Sequence, residues 1–278
     1  AVLVVLIILT TLSAGVPAYL LARRQLEQGA WERVDATRRA TESLYDAALG
    51  RVVDLTALLA ERPTLRRLIT DGDLAALESY LIAFREQSDL DLIQVCEGNR
   101  SVVAIAAADD LCAVAPGGIT PDAGVELVGG RPVMLARRAI LGDDAPEQTG
   151  SVVAGIRLDG EFLSQLSDNT GVDQSILNAD GRAAVSTLPG GAVTVELVPD
   201  GWLITVNDGQ AAIPFFAAQF PLPGQAAGLY AEVALPVSNL RETERDALAI
   251  LVFGSAVVAL AGAVVGAWFV RRLTAPLE

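Results

Sequence analysis

Residues 91–104 read DLIQVCEGNRSVVA, and residues 173–186 read DQSILNADGRAAVS. Both stretches open on an acid, run through an apolar segment, turn at a glycine followed closely by an arginine, and leave in a second apolar segment. Strand-forming residues on either side of a glycine turn predict a β-hairpin in each place. Working outward, period-two stretches at 125–128, 132–141 and 151–158 follow the first hairpin, and a short helix is expected at 161–166. Stretches at 193–198, 202–206, 213–220 and 228–236 follow the second. The chain therefore reads as one plan of helix, hairpin, loop and antiparallel strands used twice, although the copies share little identity. A single large sheet is the other reading that the pattern leaves open. The fold class is α+β.

Upstream of the first hairpin the period is helical. Ala30, Val34, Thr37, Thr41, Leu44, Ala48, Val52, Leu55 and Leu59 recur every three or four residues, which makes one apolar seam along a long helix. Such a seam suits either an amphipathic helix lying on its own domain or the stalk of a homodimer. Pro63 interrupts it. Asp71-Gly72-Asp73 reads as a turn and N-cap, followed by a short helix with Leu74, Leu77, Leu81 and Phe84 on one face.

Two uncharged apolar segments, 1–22 and 247–270, bracket everything else. At about 1.5 Å per residue each is long enough for the ~30 Å core of a bilayer. Arg271 and Arg272 follow the second segment directly, and the positive-inside rule puts them in the cytoplasm. Residues of about 25–245 are then extracytoplasmic in a two-pass protein of the inner membrane. Arg23 and Arg24, outside the first segment, weigh mildly against this orientation. A cleaved signal peptide is the other reading of residues 1–22. The expected divisions are a first span (1–22), a stalk helix (23–70), a membrane-distal module (71–160), a membrane-proximal module (161–240), a connecting helix with the second span (241–270), and a cytoplasmic linker start (271–278). Gly262 and Gly266 in the second span form a Gly-x-x-x-Gly pair suited to close helix packing.

Composition narrows the function. Hydrophobic residues make up 52% of the chain, and neither lysine nor histidine occurs, so all 20 basic residues are arginine. The net charge of −14 arises within residues 86–240, which hold 6 arginines and 20 acids. An acidic middle repels phosphate backbones, so nucleic acid is not expected as a partner. No histidine-based triad, phosphate loop, Gly-x-Ser-x-Gly or metal-spaced Cys/His set is present. The pairs Asp109-Asp110 and Asp143-Asp144 read as solvated turns. The segment is expected to be neither an enzyme nor a cofactor binder. Cys96 and Cys112 are the only cysteines, 16 residues apart; outside the cytoplasm they are expected to pair, with two buried thiols as the other reading.

The stretch 91–104, preceded by a long helix and followed by a loop and antiparallel strands, resembles the extracytoplasmic Cache sensor domains, which have a PAS-like fold. Two such units after one stalk helix resemble the double Cache arrangement over roughly residues 25–240. The exit Arg272-Leu273-Thr274-Ala275-Pro276-Leu277 looks like the opening of a HAMP linker, with Arg272, Pro276 and Leu277 as its marks. The resemblance implies a ligand pocket between the sheet and the loop after the hairpin. Mapped onto this chain, that pocket has Gln94, Arg137, Arg138 and Tyr80 nearest to it. Alternation along a strand lets only one of Arg137 and Arg138 face inward, and an inward arginine suits an anionic group. The aromatic, arginine and aspartate pattern of amino-acid-binding double Cache domains is not present. The expected function is the sensing front end of a bacterial receptor, with a histidine kinase as output. A cyclase, a diguanylate cyclase or a chemoreceptor would use the same front end, and a membrane-anchored solute-binding protein or enzyme is the remaining alternative. The expected partners are a small-molecule ligand or a periplasmic protein, the lipid bilayer and a second copy of the chain.

Overall fold

The computed structural model describes residues 2–107, 111–114, 123–141, 148–190, 192–198, 201–207, 211–224 and 228–237, with scattered positions from 249 to 271. Side chains before Pro17 are outside this description, as are the two Asp-Asp pairs, the expected connecting helix from 238 and the linker marks Arg272, Pro276 and Leu277.

Helix α1 runs unbroken over Val2–Glu61, 60 residues. On its solvent side Arg23 pairs with Glu27, Arg38 with Asp35 and Glu42, and Arg39 with Asp35, all at the three- and four-residue spacings that place side chains together. Its buried stripe is Ala30, Val34, Thr41, Tyr45, Val52, Thr56 and Leu59. Leu44, expected in the seam, is exposed, and Tyr45 takes its place. The stripe follows the 3.6-residue period of a straight helix rather than a heptad, because it is packed on the chain's own core. The Tyr45 ring lies edge-on to Phe162 and Phe220, at 5.7 and 5.8 Å between centroids. Nearer the start of the helix, Trp31 meets Phe216 edge-on at 4.7 Å.

Pro63 opens helix α2, Pro63–Asp71, in the first turn, where its missing N–H costs nothing. Gly72 ends α2 in the left-handed region at φ 69°. Asp73 then caps helix α3, Leu74–Ser88, by accepting the N–H of Ala76 at 3.0 Å. Leu77, Leu81 and Phe84 form the buried face of α3, whereas Leu74, in the first turn, is exposed.

The first sheet contains β1 (Leu92–Glu97), β2 (Arg100–Ile105), β3 (Ala123–Val128), β4 (Arg131–Leu141) and β5 (Gln148–Arg157), in the order β2-β1-β5-β4-β3. A one-turn helix, α4 (Leu111–Val114), follows β2. Helix α5, Gly160–Thr170, is capped by Asp159, whose carboxylate accepts the N–H groups of Glu161 and Phe162. The second sheet contains β6 (Asp173–Leu177), β7 (Ala183–Ser186), β8 (Ala192–Val198), β9 (Gly201–Asn207), β10 (Ala212–Pro221) and β11 (Tyr230–Pro236), in the order β7-β6-β11-β10-β9-β8.

The two orders are the same. In each sheet the opening hairpin lies at one side, its first strand pairs with the last strand of the set, and the remaining strands follow backwards. The second sheet adds β8 at its far edge. The chain is thus α+β, with one long N-terminal helix and two antiparallel sheets. By compactness Asp35–Gly190 with Ala217–Leu235 form one unit, and Ala1–Val34, Gly191–Phe216 and Pro236–Glu278 form another. Among the described residues no helix is long and apolar enough to cross a membrane. Every described position between 249 and 271 is helical, Gly262 and Gly266 included.

Candidate functional site

On the first sheet, side-chain alternation sends Leu92, Gln94 and Cys96 to one face of β1. Cross-strand pairing sets Gln94 opposite Val153, and Val153 opposite Arg137, so the three make one row over β1, β5 and β4. Helix α4 covers this face. A disulfide joins Cys96 to Cys112, and the Gln94 carbonyl Oε1 accepts the N–H of Leu111 at 2.9 Å. Leu92, Leu111, Val133, Leu135 and Val153 fill the space beneath, with Ala107 and Val128 at the margin. The face where the resemblance places a ligand is therefore closed by the chain's own α4.

Gln94 and Arg137 share this face, and the other two candidates do not. Arg137 donates through Nε to Ser151 Oγ at 3.0 Å and through Nη2 to the carbonyl of Gly98 at 3.2 Å, which braces the turn of the first hairpin. Arg138, its neighbour along β4, is exposed. Tyr80 belongs to α3, which packs on β1 and β2. Its hydroxyl is buried without a partner. Alternation leaves the Ile93 and Val95 face of β1 for α3, away from α4.

The second sheet carries a polar cluster that the sequence reading missed. Glu232 on β11 lies opposite Ser175 on β6, is 3% exposed, and accepts a hydrogen bond from Gln219 Nε2 at 2.8 Å. The hydroxyls of Ser175 and Ser186 are 2.8 Å apart. Burial pushes the Glu232 carboxyl up, against a smaller lowering by the Gln219 hydrogen bond. Asp173 at the start of β6 is raised in the same way, and the Thr187 hydroxyl offsets part of the shift. A single glutamate inside the apolar run Tyr-Ala-Glu-Val-Ala-Leu-Pro was the available signal.

A third location is open. A cleft of about 840 Å³ is lined from α1 by Arg51 and Leu55, from the end of α3 by Arg85, Glu86 and Asp89, and by Arg157, Glu161 and Phe162 from β5 and α5. All of its lining residues lie in the larger compact unit. Asp89 and Ala106, the two non-glycine residues with positive φ among the described residues, both border it. Arg51 pairs with Asp89 at 2.8 Å. Asp91 accepts the N–H of Arg157, whose Nη2 donates to the carbonyl of Ala106, both at 2.6 Å. No spacing in the sequence brings these residues together, because four separate elements supply them. Among the described residues no group of three or more His, Cys, Asp or Glu could hold a metal ion.

Residues 46–177 match the family model described as CHASE4 domain, a stretch somewhat under half the chain. Among curated proteins no relative matches. Solved structures do. The chain is similar to the periplasmic domain of Vibrio cholerae LuxQ, at 17% identity and a TM-score of 0.52, over 73% of this chain and 99% of that one. It is similar to the sensor domain of the V. cholerae histidine kinase DctB, at 12% identity and a TM-score of 0.53, over 75% and 98%. The chain thus shares the fold of these periplasmic domains. The match to CHASE4 covers the first sheet, α5 and the opening strand of the second, so it spans the closed α4 face and the open cleft alike.

Proposed function

We propose that this chain is the extracytoplasmic sensing region of a two-pass bacterial membrane receptor, and that it carries no catalytic activity of its own. The observation that supports this reading best is one 60-residue helix that starts in an uncharged apolar segment and continues into a two-sheet sensor fold. The same helix surface that begins among apolar residues ends in the core of the sensor, at Tyr45, Val52 and Leu59. At the other end Phe253, Val257, Leu260, Val264 and Trp268 are exposed, which suits contact with lipid. Input is read by the α4-covered face. A small molecule with an anionic group, or a periplasmic protein, displaces α4 from Gln94 and meets Arg137 on the same face. The output is a histidine kinase, joined through a HAMP linker in a homodimer; a cyclase or a chemoreceptor would be driven by the same movement. Coupling of about 1–3 kcal/mol between the sensor and the linker is enough.

Topology tests the reading. A cysteine introduced at Gly190 should react with a membrane-impermeant maleimide in intact cells, and one fused just after Glu278 should react only after lysis. Labelling of both from the same side overturns it.

A further inference from the structure

We propose that the open cleft between α1, α3, β5 and α5 is a second binding site, for a small zwitterion whose carboxylate is held by Arg85 and whose ammonium is held by Glu161 and Glu86. Most of the charge around this cleft is already committed. Arg51 neutralises Asp89, Asp91 holds the backbone of Arg157, Arg157 holds the carbonyl of Ala106, and Asp159 caps α5. The side chains of Arg85, Glu86 and Glu161 line the same cleft and make no hydrogen bond or ion pair among the described residues. One cation and two carboxylates are thus left over. A simple anion would satisfy Arg85 and face both glutamates, and a simple cation would do the reverse. A molecule carrying both signs satisfies the set, and an arginine can take its carboxylate through two parallel hydrogen bonds.

The walls fit a short methylene chain between the two charged ends. Leu55, Leu90 and Phe162 supply apolar surface beside the charged groups. The frame is set before any ligand arrives. Asp89 and Ala106 hold left-handed backbone at φ 54° and 56°, each fixed by an arginine, Asp89 through Arg51 and Ala106 through Arg157. A ligand held this way would tie the end of α3 to the start of α5, the helix that leads into the second sheet. The site does not share residues with the α4-covered face, so it stands whether or not that face receives a ligand.

The test uses the full chain in detergent micelles and isothermal titration with β-alanine, 4-aminobutyrate and 5-aminovalerate, a ladder that varies the distance between the charges. Butyrate and butylamine serve as single-charge controls. At least one of the three zwitterions should bind saturably, about tenfold or more tighter than either control. Arg85→Gln, and the double change Glu86→Gln with Glu161→Gln, should each weaken that binding by about tenfold or more, and Arg85→Lys should recover part of the loss. Arg182→Ala, an exposed position on the second hairpin, should leave it unchanged. Unliganded melting temperatures identify any variant that has lost its fold, and Arg85→Lys, which keeps the charge, then carries the comparison. The proposal is overturned if none of the three compounds binds, if butyrate or butylamine binds equally well, or if Arg85→Gln preserves the binding as Arg182→Ala does.

Discussion

Tyr45 on α1 and Phe220 on β10 meet edge to face, their ring centroids 5.8 Å apart and their planes at 74°. Phe162 on α5 approaches the same tyrosine from the side. One aromatic residue of the long helix therefore joins the second sheet and the helix that leads into it. Tyr45→Ala should cost about 3–5 kcal/mol, as large-to-small changes of buried aromatics do. Tyr45→Phe should be neutral or stabilising, because the buried hydroxyl has no partner whose loss would matter. Burial pushes the phenol up. The neutral form is thus the stable one, and its contribution is complete below the ordinary tyrosine value and is lost as pH rises from there through the raised one. Urea melts of both variants at neutral pH check the pair. A Tyr45→Phe change that destabilises by more than about 1 kcal/mol would mean that the hydroxyl is bonded.

The disulfide between Cys96 and Cys112 fixes α4 over the first sheet, next to the Gln94 contact. Closing a loop of this length stabilises by about 3 kcal/mol in the chain-entropy account. Reduction should lower the melting temperature and raise hydrogen exchange at Leu111 before it affects β6 or β11. Uniform loss of protection across both sheets would show that the clamp is not local.

Glu232 makes stability depend on pH. Its folded pKa is raised, so its contribution is complete below the ordinary glutamate value and is lost as pH rises through the raised one. Asp173 acts with the same sign. Glu232→Gln keeps the shape and the neighbouring Gln219. It should stabilise the chain at neutral pH, and its advantage over the parent should shrink toward acid. Guanidinium melts at several pH values read this directly; an advantage that grows as the pH falls contradicts the assignment.

Strands and helices were legible because their signals are local. The glycine turns of both hairpins, Pro63 at the start of α2 and the Asp73 cap each act over a few residues, and each is found where the pattern puts it. Leu44 and Tyr45 show the limit. Both suit a helical seam, and the choice between them depends on Phe162 and Phe220, more than a hundred residues away. The candidate site was legible only in part for the same reason. Gln94 and Arg137 sit on strands whose alternation can be read, but their shared row depends on β5 lying between them, an order fixed by the whole sheet. Arg51, Arg85 and Arg157 come together from three elements, α1, α3 and β5, and no spacing in the chain announces that.

Backbone runs close against backbone where Gly124 on β3 meets Gly224 just after β10. The N–H of Val125 donates to the carbonyl of Pro223 at 2.6 Å. A Cβ added at Gly124 would lie 2.6 Å from the Cα of Gly224, and one added at Gly224 would run into the backbone of Val125. Backbone on both sides leaves no flexible side chain to move aside, so Gly124→Ala and Gly224→Ala should each destabilise by about 1–3 kcal/mol, in the range of overpacking. Because both substitutions push apart the same two strands' ends, the double variant should cost less than the sum of the two. Gly50 provides the opposite sign. It lies mid-helix in α1 with nothing within 4 Å of an added Cβ. Gly50→Ala should therefore stabilise by about 0.5–1 kcal/mol through helix propensity alone. Chemical melts of the four variants decide the matter: if Gly124→Ala and Gly50→Ala shift stability in the same direction, the contact between β3 and the turn after β10 does not hold in solution.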